Sequence, residues 1–96
     1  MSFVARVDGA LAGAVLCGTD GRRGYLNHLA VTPPHRRQGI ARQLVAACLD
    51  ALKQRGIARC HTFVYDRNAP GLAFWQAIGW TRWDDHHITG LCRNID

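Results

Sequence analysis

The chain has 96 residues, room for a single small domain with one modest core. Its apolar fraction of 48% suits a globular protein, and no apolar run reaches membrane-spanning length. Disorder and a membrane partner are thereby set aside, and "MSFVARVDGA" carries no secretory leader pattern, so the cytoplasm is the expected location. The net charge of +5 calls for an anionic partner. The basic residues are scattered, without the long basic stripe and interleaved aromatics of a nucleic-acid binder, so no nucleic acid is expected. Cys17, Cys48, Cys60 and Cys92 lie far apart in sequence with no metal-like spacing, which predicts buried free thiols and no metal. A zinc site at His86 and His87 is not expected either, because adjacent strand residues face opposite ways.

Phe3 to Val7 alternates and runs into Asp8-Gly9, a strong hairpin signal, so Leu11 to Cys17 is the return strand. A second turn is bracketed by Asp20-Gly21 and Gly24, and Tyr25 to Val31 forms a third strand that Pro33-Pro34 ends. From Gly39 to Arg55, Ile40, Leu44, Val45, Cys48, Leu49 and Leu52 recur at helical spacing, and Gly56 closes the helix. Cys60 to Tyr65 is a strand buried by that helix, which makes the connection a parallel crossover. After the Asp66-Arg67-Asn68 turn, Pro70 opens a second helix that runs to Ile78 and stops at Gly79. Trp80 to Trp83 and Ile88 to Arg93 form a last pair of strands. The fold class is α+β: a twisted mixed β-sheet with two helices, in one domain spanning residues 1–96.

The densest charge lies in "HRRQGIARQLV", His35 to Val45, at the start of the long helix. A helix N-terminus presents unpaired N–H groups and about half a positive elementary charge, which suits phosphate. Gly39 lets the backbone come close to a ligand, Ala41 keeps the next turn small, and Arg36, Arg37 and Arg42 add charged donors. A solvated basic turn on an ordinary helix is the alternative.

Arg36 to Ala41 has arginine, two variable residues, glycine, one variable residue and alanine, and it follows a strand ("HLAV") and a proline loop. It resembles the phosphate-binding signature of the GNAT superfamily of acetyl-CoA-dependent N-acetyltransferases. "NAPGLAFWQAIGW", Asn68 to Trp80, is similar to the family's downstream segment, so the resemblance covers nearly the whole chain. It implies a GNAT-like sheet that is N-terminally truncated, since relatives begin with a further strand and one or two helices. It also implies acetyl-CoA as cosubstrate. The pyrophosphate would sit on the amides of Arg37, Gln38, Gly39, Ile40, Ala41 and Arg42. The pantetheine arm would follow Leu29, Ala30 and Val31 in a splayed gap beside the Cys60 strand, with Asn68 along the arm and Trp75 near the thiol end.

Acetyl transfer needs a neutral amine, and His28 is the candidate base, although a lone strand histidine is often structural. Asn27 cannot serve. Trp75 stands where relatives carry a tyrosine that protonates the departing thiolate; Tyr65 is the candidate replacement, against the reading of a packed edge aromatic. The function expected is direct transfer of acetyl from acetyl-CoA to an amine-bearing acceptor, a small molecule or a peptide or protein. The alternative is a non-catalytic acetyl-CoA-binding or regulatory module. Sheet surface left uncovered by the missing helices predicts a homodimer, with Trp75, Trp80 and Trp83 as candidates for that surface.

Overall fold

The computed structural model describes residues 1–82 and 91–95. Two compact units divide the chain, Met1–Tyr65 and Asp66–Asp96. The first contains strands β1 (Ser2–Val7), β2 (Ala10–Thr19) and β3 (Gly24–Val31), a 3-10 turn at Pro33–His35, helix α1 (Ile40–Gln54) and strand β4 (Cys60–His61). The second contains helix α2 (Ala69–Ala77).

The sheet order is β1-β2-β3-β4. Asp8 and Gly9 have φ of 51° and 82°, the two successive positive values that a two-residue type I′ hairpin requires. At the next turn the Asp20 carboxylate accepts from the amides of Arg22 and Arg23 at 2.8 and 2.9 Å. The backbone bond to Arg23 is the main reason its pKa lies below the ordinary value. β3 and β4 are parallel and joined through α1, the expected crossover. The sheet is therefore mixed, with two helices in the chain, and the α+β class holds.

One face of α1 buries Ile40, Leu44, Val45, Cys48 and Leu52. It meets Val15 and Cys17 of β2 and Leu26 of β3, each no more than 2% exposed. The helix lies close to the sheet because two facing residues are glycines. A Cβ on Gly24 would collide with Leu52, and one on Gly13 would come within 2.9 Å of the Ala30 carbonyl and 3.1 Å of Leu44. Gly56, with φ +79°, ends the helix. In the second unit the Asn68 carboxamide caps α2 by accepting from the Gly71 amide at 3.0 Å, and Gly79 follows its end with φ +98°.

Two expected elements need correction. The strand drawn from Cys60 to Tyr65 is only Cys60–His61, because pairing with β3 stops after Tyr25↔His61. Residues 80–82 and 91–93 are not in strands. Trp83 to Gly90, with the remainder of that strand pair, His86 and His87, lie outside the described residues. The thiols also differ from expectation: Cys17 and Cys48 are buried, Cys60 is half-buried and Cys92 is exposed. No helix among the described residues is long and apolar enough to cross a membrane.

Candidate functional site

The loop from β3 into α1 is tied down residue by residue. The Thr32 amide and hydroxyl both donate to the Ala12 carbonyl, at 2.8 and 3.2 Å. The same hydroxyl lies 2.9 Å from His35 Nδ1, which ties the imidazole of the 3-10 turn to the end of β3. Arg36 turns back and donates through Nε to the Val31 carbonyl at 3.2 Å. Arg37 and Gly39 then adopt left-handed backbone, with φ of 65° and 79°. Each such residue other than glycine costs about 1–2 kcal/mol, a strain often found at binding loops.

Gly39 is the N-cap of α1, with no side chain capping the helix and no acid in its first turn. The first ladder bond runs from the Gln43 amide to the Gly39 carbonyl at 3.0 Å, so the amides of Ile40, Ala41 and Arg42 precede the ladder. Arg36, Arg37, Gln38, Gly39 and Arg42 are exposed around this end, Ala41 is half-buried, and the Ile40 side chain belongs to the core. The space that a Gly39 Cβ would enter is open, so it is the positive φ that requires glycine here. The arrangement is a positively charged, donor-rich helix start presented to solvent.

The edge of β3 completes the site within the first unit. Only Gly24 and Tyr25 pair with β4, so from Asn27 to Val31 that edge has no strand beside it among the described residues. Opposite, β2 and β3 fall out of register: Ala14 pairs with Ala30 and Leu16 with Asn27. One β2 residue, Val15, thus faces two on β3, His28 and Leu29. His28, with φ +55°, marks this bulge, and the side-chain alternation reverses there. The bond from the Thr32 amide to Ala12 fixes which way the ladder faces. Alternation from it turns the amides of Leu29 and Val31 away from β2, toward the open edge. The Leu26 carbonyl at the start of that edge accepts from the Thr62 hydroxyl at 3.0 Å.

The structure therefore brings Leu29, Ala30 and Val31 together with Arg36 to Arg42 along one continuous path. His28 is exposed at the bulge. Tyr65 is also exposed, at 76%. Asn68 and Trp75 belong to the second unit, where both have local roles. Asn68 caps α2, and Trp75 is buried in edge-on contact with Phe74 and Trp80, at centroid distances of 5.3 and 4.7 Å.

Two features have no clear signal in the sequence. The bulge at His28 is hidden because "YLNHLAV" alternates plausibly in an unbroken strand, and Thr62 gives no sign of its long-range bond. The core also gathers thiols that the sequence keeps apart. Burial pushes the Cys48 thiol up to about 12, with the nearby Cys17 adding to the rise, and pushes Cys60 up to about 11. Burial, then the charges of Arg23 and Arg59, lower the pKa of His61.

Residues 1–80 match the model of the acetyltransferase (GNAT) family. The chain is 34% identical to N-alpha-acetyltransferase 30 of Schizosaccharomyces pombe, over 85% of this chain and 58% of that protein. It is 33% identical to an acetyltransferase of Pectobacterium atrosepticum, over 79% of this chain and 54% of that protein. The chain thus spans little more than half the length of these relatives. Among solved structures it is similar to the aminoglycoside N-acetyltransferase AAC(6')-Iy in complex with CoA. That likeness has a TM-score of 0.80 at 21% identity and covers 98% of this chain and 75% of the other. A PaiA N-acetyltransferase from Thermoplasma acidophilum, in complex with coenzyme A, shares the fold with a TM-score of 0.82 at 22% identity, over 90% of this chain and 55% of that one.

Proposed function

Because this chain belongs to the acetyltransferase (GNAT) family, we propose that it binds acetyl-CoA and passes the acetyl group directly to a primary amine. The observation that carries this reading is the continuity of an open strand edge with an uncapped helix start. Between His28 and Arg42 the same stretch of chain supplies both a row of outward amides and a cluster of donors at a helix start. In this reading the pyrophosphate is held by the amides from Arg37 to Arg42, with Arg37 and Arg42 neutralising charge. The pantetheine arm lies along Leu29, Ala30 and Val31, where its amides satisfy main-chain groups that a neighbouring strand would otherwise take. Relatives and structural neighbours whose names record CoA, an aminoglycoside or N-alpha acetylation support the cosubstrate and the amine class of acceptor.

In this reading the chemistry takes place beside the bulge. A main-chain amide at Leu29, re-aimed by the extra residue, polarises the thioester carbonyl where negative charge develops. A lysine-like amine, with pKa about 10.4, is only about one part in 10³ neutral at pH 7, so a base or a water relay must remove its proton. His28 is the candidate base in this reading, and a water relay is the alternative. The amine lone pair then attacks the carbonyl carbon, the tetrahedral intermediate collapses, and the C–S bond breaks. A thiol with pKa about 8.5 leaves without much help, and Tyr65 is the candidate proton donor to it. The protein is read as cytoplasmic, acting as a homodimer.

The test is thermal unfolding with acetyl-CoA, with 3′-phospho-ADP, and without ligand, followed by thiol release in the presence of amines. Ligand at about 100 times its Kd should add about 2.7 kcal/mol, a rise in Tm on the order of 10 °C. The nucleotide should do clearly less. No shift at saturating acetyl-CoA would sink the reading, and a shift without turnover on any amine would favour a non-catalytic binding module.

A further inference from the structure

We propose that Thr62 is a positioning residue that sets the apex of the cleft between β3 and β4, and so the register of the pantetheine arm; this rests on the coenzyme reading above. The parallel ladder consists of two pairs, Gly24↔Cys60 and Tyr25↔His61. The next residue on each side is Thr62 and Leu26, and they are joined by a side chain: the Thr62 hydroxyl donates to the Leu26 carbonyl at 3.0 Å. In a regular parallel sheet the strands lie about 4.8 Å apart and bond through main-chain amides. A bond routed through Cβ and Oγ1 keeps the chains attached but inserts side-chain atoms between them. The ladder cannot continue past such a link.

The placement of this link relative to the bulge makes it functional as well as structural. Leu26 lies two residues before His28, whose φ of +55° marks the place where β3 changes direction. The far end of the same edge is closed in the same manner, by Arg36 Nε on the Val31 carbonyl at 3.2 Å. Side chains of the chain itself thus occupy the carbonyls at both ends of the open edge. Between them the outward amides of Leu29 and Val31 are left to a ligand. A ligand laid on this edge has a fixed start and a fixed stop, and Thr62 defines the one toward the acyl group. Threonine suits the task because β-branching restricts χ1 and holds the hydroxyl in place. Its side chain is half-buried, which shields the bond from competing water.

The experiment uses ¹⁵N-labelled protein titrated with coenzyme A and with 3′-phospho-ADP, comparing wild type with Thr62→Val and Thr62→Ser. In the wild type, coenzyme A should move the amide resonances of Leu29, Val31 and Ile40–Arg42, while the nucleotide moves only those at the helix start. In Thr62→Val the helix-start shifts should persist, with Kd for coenzyme A within threefold of wild type. The Leu29 and Val31 shifts should fall at least threefold and acetyl transfer at least tenfold, and Thr62→Ser should restore both. Thr62→Ala replaces the valine variant if that protein does not fold. A variant that is merely less stable but keeps the full Leu29 and Val31 response overturns the proposal. Should wild type ignore coenzyme A altogether, the coenzyme reading fails while the apex is still judged by hydrogen exchange. Loss of the hydroxyl must speed exchange of the β3–β4 ladder amides at least tenfold, and unchanged exchange overturns it.

Discussion

Arg36 Nε donates to the Val31 carbonyl at 3.2 Å, so one guanidinium links the last residue of β3 to the loop that opens α1. An arginine held through Nε keeps both Nη groups as donors, which a lysine in its place cannot do. Arg36→Lys retains the charge but loses the tether, and should weaken coenzyme A binding about tenfold, consistent with one charged hydrogen bond of about 1.5 kcal/mol. Isothermal titration calorimetry checks this. Affinity within twofold of wild type would show that the tether does not shape the site.

Gly39 sits at φ +79° with open space where a Cβ would go. Gly39→Ala should therefore fold without collision but with left-handed strain of about 1–2 kcal/mol. Urea denaturation should show that loss, with m unchanged. Relaxation of the loop to relieve the strain should also disperse the amides at the helix start, so affinity for 3′-phospho-ADP should fall together with that for coenzyme A.

The buried thiols give stability a defined alkaline limit. Cys48 and Cys60 are raised from the ordinary value of 9.0 to about 12 and about 11, in both cases mainly by burial. Above pH 9 the unfolded chain releases these protons while the folded chain retains them. Stability contributed by the raised values is thus fully present below pH 9 and is lost as pH climbs through 11 to 12. Tm measured from pH 8 to 11 should fall progressively, and Cys48→Ala should flatten the decline. At pH 8 a disulfide reagent should label the exposed Cys92 quickly and Cys17 and Cys48 only on unfolding.

His28 can be separated from its backbone role by choosing a replacement that tolerates φ +55°. Asparagine adopts left-handed backbone readily, whereas valine does not. His28→Asn should leave Tm within a few degrees of wild type and lower acetyl transfer at pH 7 by about 10²-fold if the imidazole carries the proton. Unchanged turnover would assign the proton to water. His28→Val should lose stability whichever is true.

How far the sequence discloses this molecule depends on how local each cause is. Asp8-Gly9 is legible because two successive residues that accept positive φ permit one kind of turn. α1 is legible because its buried stripe follows from its own period, and the arginine-to-alanine signature locates the helix start from residues 36–41 alone. The short β4 is not legible, since Thr62 ends it through a bond to Leu26, a residue 36 positions away. Nor is the bulge at His28, which arises from pairing with β2. The meeting of Cys17, Cys48 and Cys60 is a product of tertiary packing, and nothing in their spacing announces it.

The crossover between β3 and β4 also bears on the order in which the chain assembles. β1 to β3 close through short turns, where little loop entropy is lost, whereas β4 must wait for α1 to dock and bridge the 36-residue separation between Gly24 and Cys60. The cleft is then among the last parts of the first unit to form. If the cosubstrate lies along it as proposed, it recognises only the finished arrangement, so its stabilising effect should appear as slower unfolding, with the refolding rate left nearly unchanged.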